Sequence, residues 1–226
     1  MKPFIEKRRF FPDPARPTLD GIVAMGDELT VDVLLEAYSF GIFPWPHPDL
    51  PCLWFCPDER GVIDFAQVHV SRSLKKFMKK TNLRITFNQK FNEVIAACAE
   101  IPRPGQSGTW ITPPLQKLYE EFHKIGYAHS VECWDGEDLV GGLYGVYIAG
   151  VFSGESMFYK SPNASKLCLI ALIERLQSAG LTWMDIQMLT PVTEHLGGKY
   201  ISKREFLNRL AEAKKTLLPL PYPLNP

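Results

Sequence analysis

The chain has 226 residues, 46% of them hydrophobic, and its 25 basic residues balance 25 acidic ones for a formal net charge of zero. That is enough apolar material for a real core, and the neutral balance by itself points to no polyanionic or polycationic partner. No stretch reaches the roughly 18 uncharged apolar residues of a membrane span, and MKPFIEKRRF lacks the apolar segment of a signal peptide, so a cytoplasmic protein with no membrane partner is expected.

Residues 1–62 are rich in proline and aromatics, as in FFPDPARPTLDG and GIFPWPHPDLPCLWFCPDERG. Thr30 can cap a helix whose Leu34, Leu35 and Tyr38 share a face and which Gly41 ends. Five prolines between Pro44 and Pro57 argue against long regular elements, so a small N-terminal lobe of one main helix and ordered aromatic loops is predicted. Cys52, Cys56, Cys98, Cys133 and Cys168 are odd in number and irregularly spaced, which predicts reduced packing thiols rather than disulfides or a metal site.

From Val62 the pattern becomes denser. SRSLKKFMKK spaces Leu74, Phe77 and Met78 along one helical face, LRITF reads as a strand, and FNEVIAACAE is helical again. The loop PRPGQSGTWIT precedes a helix carrying Leu115, Leu118, Tyr119, Phe122 and Ile125. AHSVECW and EDLVGGLYGV flank Asp135-Gly136, a hairpin signal, and VFSGESMF follows a turn at Ala149-Gly150, so three strands form an antiparallel meander. Asn163 or Ser165 can cap the helix through LCLIALIERLQSA, which Gly180 stops before the strand LTWMDIQM. Ser202 and Glu205 stand at capping-box spacing before a last helix carrying Phe206, Leu207 and Leu210, and PLPYPLNP reads as an irregular tail. The fold class is therefore α+β with a mainly antiparallel sheet, and without a GxGxxG turn or a Walker loop no nucleotide fold is indicated.

Strand alternation sends Met184, Ile186 and Met188 one way and Trp183, Asp185 and Gln187 the other; in VFSGESMF it sets Val151, Ser153, Glu155 and Met157 on one side. Each acid taken alone could cap a loop or face water. Two acids and an amide beside large apolar residues point instead to a site, because an unpartnered acid is costly to bury. Arg72, Lys75, Lys76, Lys79, Lys80, Arg84 and Lys90 follow one another with no interleaved acid, a pattern that suits either a solvated face or a nucleic-acid backbone. Trp45 and Trp110 sit in loops punctuated by glycine or proline, as packing residues or as stacking platforms. No triad and no Gly-x-Ser-x-Gly elbow supports covalent catalysis.

GIFPWP, LWFCPDERGVI, HVSRSLKKF, GTWIT, GYAHSVECW, LVGGLYGV, FSGESMF, NASK and MDIQ, in this order, together resemble the leucyl/phenylalanyl-tRNA protein transferases. The resemblance implies a small N-terminal domain, residues 1–62, followed by a GCN5-related N-acetyltransferase-like catalytic domain, residues 63–226. It also implies transfer of Leu or Phe, and less readily Met, from aminoacyl-tRNA to proteins with an N-terminal Arg or Lys, marking them for the bacterial N-degron pathway. By the same resemblance Glu155, Asp185 and Gln187 are catalytic, while Trp45, Trp110, Leu143, Phe152 and Met157 bind the terminal adenosine and the aminoacyl group. Arg72, Lys75, Lys76, Lys79 and Lys80 would then grip tRNA phosphates. Leu143 stands where the family often has Met.

An aminoacyl ester is already activated, so such a reaction calls for no cofactor, metal or covalent nucleophile. It needs a group to deprotonate and position an α-amine whose ordinary pKa is about 7.7 to 8.0. On this reading Gln187 contacts the amine, Asp185 orients the amide or takes the proton, and Glu155 supplies negative charge. A coenzyme A-dependent N-acyltransferase is the second reading, although SPNASK lacks a glycine-rich pyrophosphate loop; a non-catalytic tRNA-binding module is the third. No heptad seam is present, so a monomer is expected.

Overall fold

The computed structural model describes residues 4–47, 50–101 and 109–215. The loop PRPGQSG and the PLPYPLNP tail lie outside the described residues.

Three short strands come first, β1 (Ile22–Met25), β2 (Phe43–His47) and β3 (Leu50–Phe55), in the order β1-β3-β2, with α1 (Val31–Ser39) between β1 and β2. The segments expected to be aromatic loops are thus a small sheet. Pro44 and Pro46 are tolerated because β2 is an edge strand, where a missing N–H breaks no second ladder. The Thr30 hydroxyl accepts from Val33 N–H and caps α1, and Gly41 leaves it at φ 74°.

The body is a seven-stranded sheet in the order β10-β4-β9-β8-β7-β6-β5. Its strands are β4 (Glu59–Asp64), β5 (Arg84–Phe87), β6 (Ala128–Asp135), β7 (Asp138–Ile148), β8 (Val151–Tyr159), β9 (Trp183–Gln187) and β10 (Lys199–Ser202). The helices are α2 (Arg72–Met78), α3 (Phe91–Glu100), α4 (Pro113–Lys124), α5 (Ala164–Ser178), α6 (Pro191–His195) and α7 (Lys203–Lys215). The fold is mixed α/β with a mostly antiparallel sheet, and β6–β7–β8 form the expected meander. Its first turn centres on Gly136-Glu137, one residue beyond the predicted pair, because Asp135 pairs with Asp138. Ala149 and Gly150 both take positive φ, as a tight two-residue hairpin loop demands.

Two buried clusters cover the two sheet faces. One joins α1, α3, α4 and α7 to the N-terminal strands through residues such as Leu34, Trp54, Val94, Phe122 and Phe206. The other centres on α5, with Leu169, Leu172 and Ile173 against Leu143, Phe152 and Met184. Burial on both faces explains why β7 reads as a near-continuous apolar run. Ile125, expected on the apolar face of α4, instead follows its last turn and is exposed. Asn163 takes the N-cap position of α5 at φ 67° but does not cap with its side chain, which accepts from Lys166 Nζ. All five cysteines are buried free thiols.

Candidate active site

β8 and β9 are parallel neighbours in this largely antiparallel sheet, and only Ser153 and Asp185 are paired between them. The strand residues beyond that pair, Gly154–Met157 and Ile186–Met188, line a pocket of about 400 Å³, with Leu143 on β7, Leu169 and Leu172 on α5, and Val192 on α6. Trp45 and Trp110 close one side as a stacked pair, ring centroids 5.5 Å apart at 14°. The pocket is mainly apolar, with a small polar group set into its wall.

That polar group exists because both strands depart from simple alternation. Tyr144 pairs with Ser156 and Gly145 with Gly154, which leaves Glu155 as the extra residue of a bulge. Opposite β4, Val62 pairs with Asp185 and Gly61 with Gln187, which leaves Ile186 as the extra residue of a second bulge. Gln187 holds this bend at φ 59°, a left-handed conformation that costs a non-glycine residue about 1–2 kcal/mol. Gly61 permits it: a Cβ there would lie 3.0 Å from the Met188 backbone carbon.

The bulges correct two expectations built on strict alternation. Met157 does not share a face with Val151; Val151 belongs to the cluster under α1 and α4, while Met157 packs on the α5 side. Gln187 does not share a row with Trp183 and Asp185, because the kink aims its amide at Glu155, where Nε2 donates to Oε1 at 2.7 Å.

Glu155 is the best-connected side chain of the pocket wall. Oε1 also accepts from the Tyr38 hydroxyl at 2.6 Å, Oε2 accepts from the Tyr119 hydroxyl at 3.2 Å, and the two hydroxyls are 2.6 Å apart. Burial pushes the carboxyl up to about 7, against the stabilising bonds from Tyr38 and Gln187 and with help from the nearby Asp185 charge. Burial and the Glu155 charge likewise hold both phenols well above their usual range, so they act as neutral donors.

Asp185 lies behind the wall, only 1% exposed. Arg60 Nε donates to Oδ1 at 2.8 Å and Nη2 to Oδ2 at 2.7 Å; Ser153 Oγ donates to Oδ2 at 3.0 Å and Gln187 N–H to Oδ1 at 2.9 Å. Burial opposes the Arg60 charge, but Asp185 outweighs it and raises the guanidinium above its ordinary value. The Phe43 and Phe206 rings each lie 4.5 Å from the guanidinium carbon. α7, which carries Phe206, is tied to β4 by Arg209 and Asp64, 2.6 Å apart.

Of the residues named from sequence, Trp45, Trp110, Leu143, Met157, Glu155 and Gln187 meet in the pocket. Phe152, fully buried, packs beneath it beside Gly145 and does not line it. Arg72, Lys75, Lys76, Lys79 and Lys80 are exposed on and just after α2, with no carboxylate partner among the described residues. Sequence reasoning missed Arg60, Tyr38 and Tyr119. Arg60 sits in a charged segment, DER, that reads as a loop, and the two tyrosines read as ordinary helix-face core.

The family model for leucyl/phenylalanyl-tRNA protein transferase matches residues 62–211, and that for the N-terminal domain of the same transferase matches residues 27–58. The chain belongs to this family. It is 47% identical over 213 residues to a leucyl/phenylalanyl-tRNA–protein transferase of Pseudoalteromonas atlantica, covering 93% of this chain and 91% of that one. It is 45% identical over 203 residues to the protein of that name from Anaeromyxobacter dehalogenans, covering 90% and 87%, and 46% identical over 210 residues to that of Shewanella baltica, covering 92% and 88%. The pocket's apolar lining has room for an apolar side chain beside the stacked tryptophans. No helix among the described residues is long and apolar enough to cross a membrane.

Proposed function

We propose that this protein transfers Leu or Phe, and less readily Met, from aminoacyl-tRNA to the N-terminal Arg or Lys of acceptor proteins, marking them for the N-degron route. One observation carries the reading: in a chain of this family, an apolar pocket has a hydrogen-bonded carboxyl and amide in its wall. The donor's apolar side chain enters between Leu143, Met157, Leu169 and Leu172, and the terminal adenosine lies at Trp45 and Trp110.

The acceptor's α-amine attacks the ester carbonyl. A C–N bond forms, the C–O bond to the ribose breaks, and the proton lost by the amine ends on the ribose oxygen. Glu155, with its midpoint at about 7, is matched to an amine of about 7.7 to 8.0 and takes the proton. Gln187 holds the amine in line with the carbonyl through its amide oxygen, which carries no partner among the described residues. Asp185, with both oxygens occupied, acts as a positioning residue that fixes the left-handed Gln187 backbone. Arg72, Lys75, Lys76, Lys79 and Lys80 grip backbone phosphates without reading sequence.

Two structural readings accompany this function. The body, which takes in β4 as well as the strands after it, is of the GCN5-related N-acetyltransferase type, a reading supported by the parallel pair β8–β9 that opens the pocket. A separate N-terminal domain is supported by a three-stranded sheet contained within residues 22–55, but its boundary falls before residue 59 rather than at 62, because β4 (Glu59–Asp64) is an inner strand of the body sheet, paired with β10 and β9.

The test is incubation with radiolabelled Leu-tRNA and a protein bearing N-terminal Arg. Label is expected in the acceptor; label from acetyl-CoA instead would favour the acyl-coenzyme A reading. A near-normal rate in the Asp185→Ala, Gln187→Ala double variant would sink the roles given to these residues.

A further inference from the structure

The segment NASK and the histidines around it take no part in the chemistry above. They border a second groove of about 460 Å³, lined by His69, Ser73, Asn163, Lys166, Val192 and His195 among others, with no Asp or Glu in its wall. Val192 lines the aminoacyl pocket as well, so the two cavities share that wall. The first turn of α5 separates them: Ser165 faces the pocket, while Asn163 and Lys166 face the groove. The groove is also lined by Ser71, Ser73 and Leu74, at the start of the helix whose exposed face carries Arg72, Lys75 and Lys76.

Lys166 is half-buried, and its Nζ donates to Asn163 Oδ1 at 3.3 Å with no carboxylate partner among the described residues. An ammonium held by one long bond to an amide, in a wall without acids, keeps donors and charge available for an anion. His195 Nδ1 is bonded to the Pro191 carbonyl oxygen, which leaves Nε2 as its remaining polar ring atom. The groove therefore combines three things: continuity with the pocket that receives the ester, continuity with the basic helix, and an ammonium, that of Lys166, in a lining without carboxylates.

Resting on the reading that the donor is an aminoacyl-tRNA, we propose that this groove carries the phosphodiester backbone of the donor's unpaired 3′ end, with Lys166 as its charged contact. The backbone phosphates just before the terminal nucleotide lie along His69, Ser73, Lys166 and His195, between the ester at Glu155 and the acceptor stem at α2. Such contacts set register rather than sequence preference.

Three donors of increasing length test this: the Phe ester of adenosine, the Phe ester of the trinucleotide CCA, and Phe-tRNA. With Lys166→Glu, kcat/KM is expected to fall roughly tenfold or more for the trinucleotide and the tRNA, through KM, because a bond to a charged group is lost. The adenosine ester, which lacks that phosphate, is the internal control and is expected to change less than about twofold. Lys166→Arg, keeping the charge, should restore most of the loss, and Lys166→Ala should lower the salt dependence of tRNA use by about one phosphate contact. Equal loss on all three donors, or tRNA transfer indifferent to Lys166→Glu, would overturn the proposal. So would coenzyme A competing with wild-type transfer but not with transfer by Lys166→Glu, which would assign the groove to a pyrophosphate. Failure of the wild type with every donor would instead strike at the aminoacyl-tRNA reading itself.

Discussion

Replacing Glu155 with Gln removes a charge that the fold makes costly. Burial, only partly offset by hydrogen bonds from Tyr38 and Gln187, moves the carboxyl from 4.5 to about 7. At about 1.36 kcal/mol per pH unit the charged form costs about 3 kcal/mol, which screening at a half-buried pocket wall trims to roughly 2 kcal/mol. Below pH 4.5 the acid is neutral in both folded and unfolded chains, and no cost arises. As pH rises from 4.5 through about 7 the unfolded chain ionises first, so the folded state loses stability until both are charged, after which the cost is constant. Glutamine does not titrate, and its NH₂ can donate to the Tyr119 oxygen while its carbonyl accepts from Tyr38 and Gln187. The stability of Glu155→Gln relative to wild type should therefore rise by roughly 2 kcal/mol between about pH 5 and pH 8, measured by urea unfolding at stepped pH. A difference that stays flat across that range refutes the reasoning, because Glu155 would then ionise in the fold as it does in water. The same substitution should abolish transfer at every pH, and wild-type kcat should rise with an apparent midpoint near the carboxyl's own.

Gln187→Gly should stay within about 1 kcal/mol of wild-type stability, since relief of the left-handed strain offsets the entropy cost of glycine, yet lose on the order of 100-fold in kcat. Retained transfer would remove the amide from the mechanism, and Gln187→Val should unfold at lower urea than either. Arg60→Met strands the Asp185 carboxylate in the interior and should cost about 3–5 kcal/mol; adding Asp185→Leu should recover most of that stability without recovering transfer. Recovered activity in the double variant would show that the pair only supports the fold. Converting Lys75, Lys76, Lys79 and Lys80 to Gln should leave the urea midpoint unchanged while flattening the plot of log kcat/KM for tRNA against log salt by roughly 3 units of slope.

The sequence by itself determined the meander, the helix cap at Thr30, the turn at Ala149-Gly150 and the basic run on α2. Each depends on a local cause: a side chain that satisfies an orphan amide, a residue that accepts positive φ, a spacing that repeats within one element. The same local logic read the proline-rich start as loops, because nothing in FPWPH says that it will be an edge strand whose missing N–H groups cost nothing. It also brought Glu155, Asp185 and Gln187 to attention as polar residues in apolar strands. Only the tertiary structure decided which of them face the pocket. Alternation holds along a regular ladder, but a bulge depends on the partner strand, here on Tyr144 and Gly145 opposite β8 and on Gly61 and Val62 opposite β9. Those non-local pairings aim Glu155 and Gln187 at each other and leave Asp185 behind the wall. Arg60, 125 residues away in sequence, closes on Asp185, and Tyr38 and Tyr119 reach Glu155 from two helices that no periodicity in β8 could foretell. A chain can write the residue types of a site into its sequence, but their division into groups that face substrate and groups that hold them depends on contacts made only when distant strands pair.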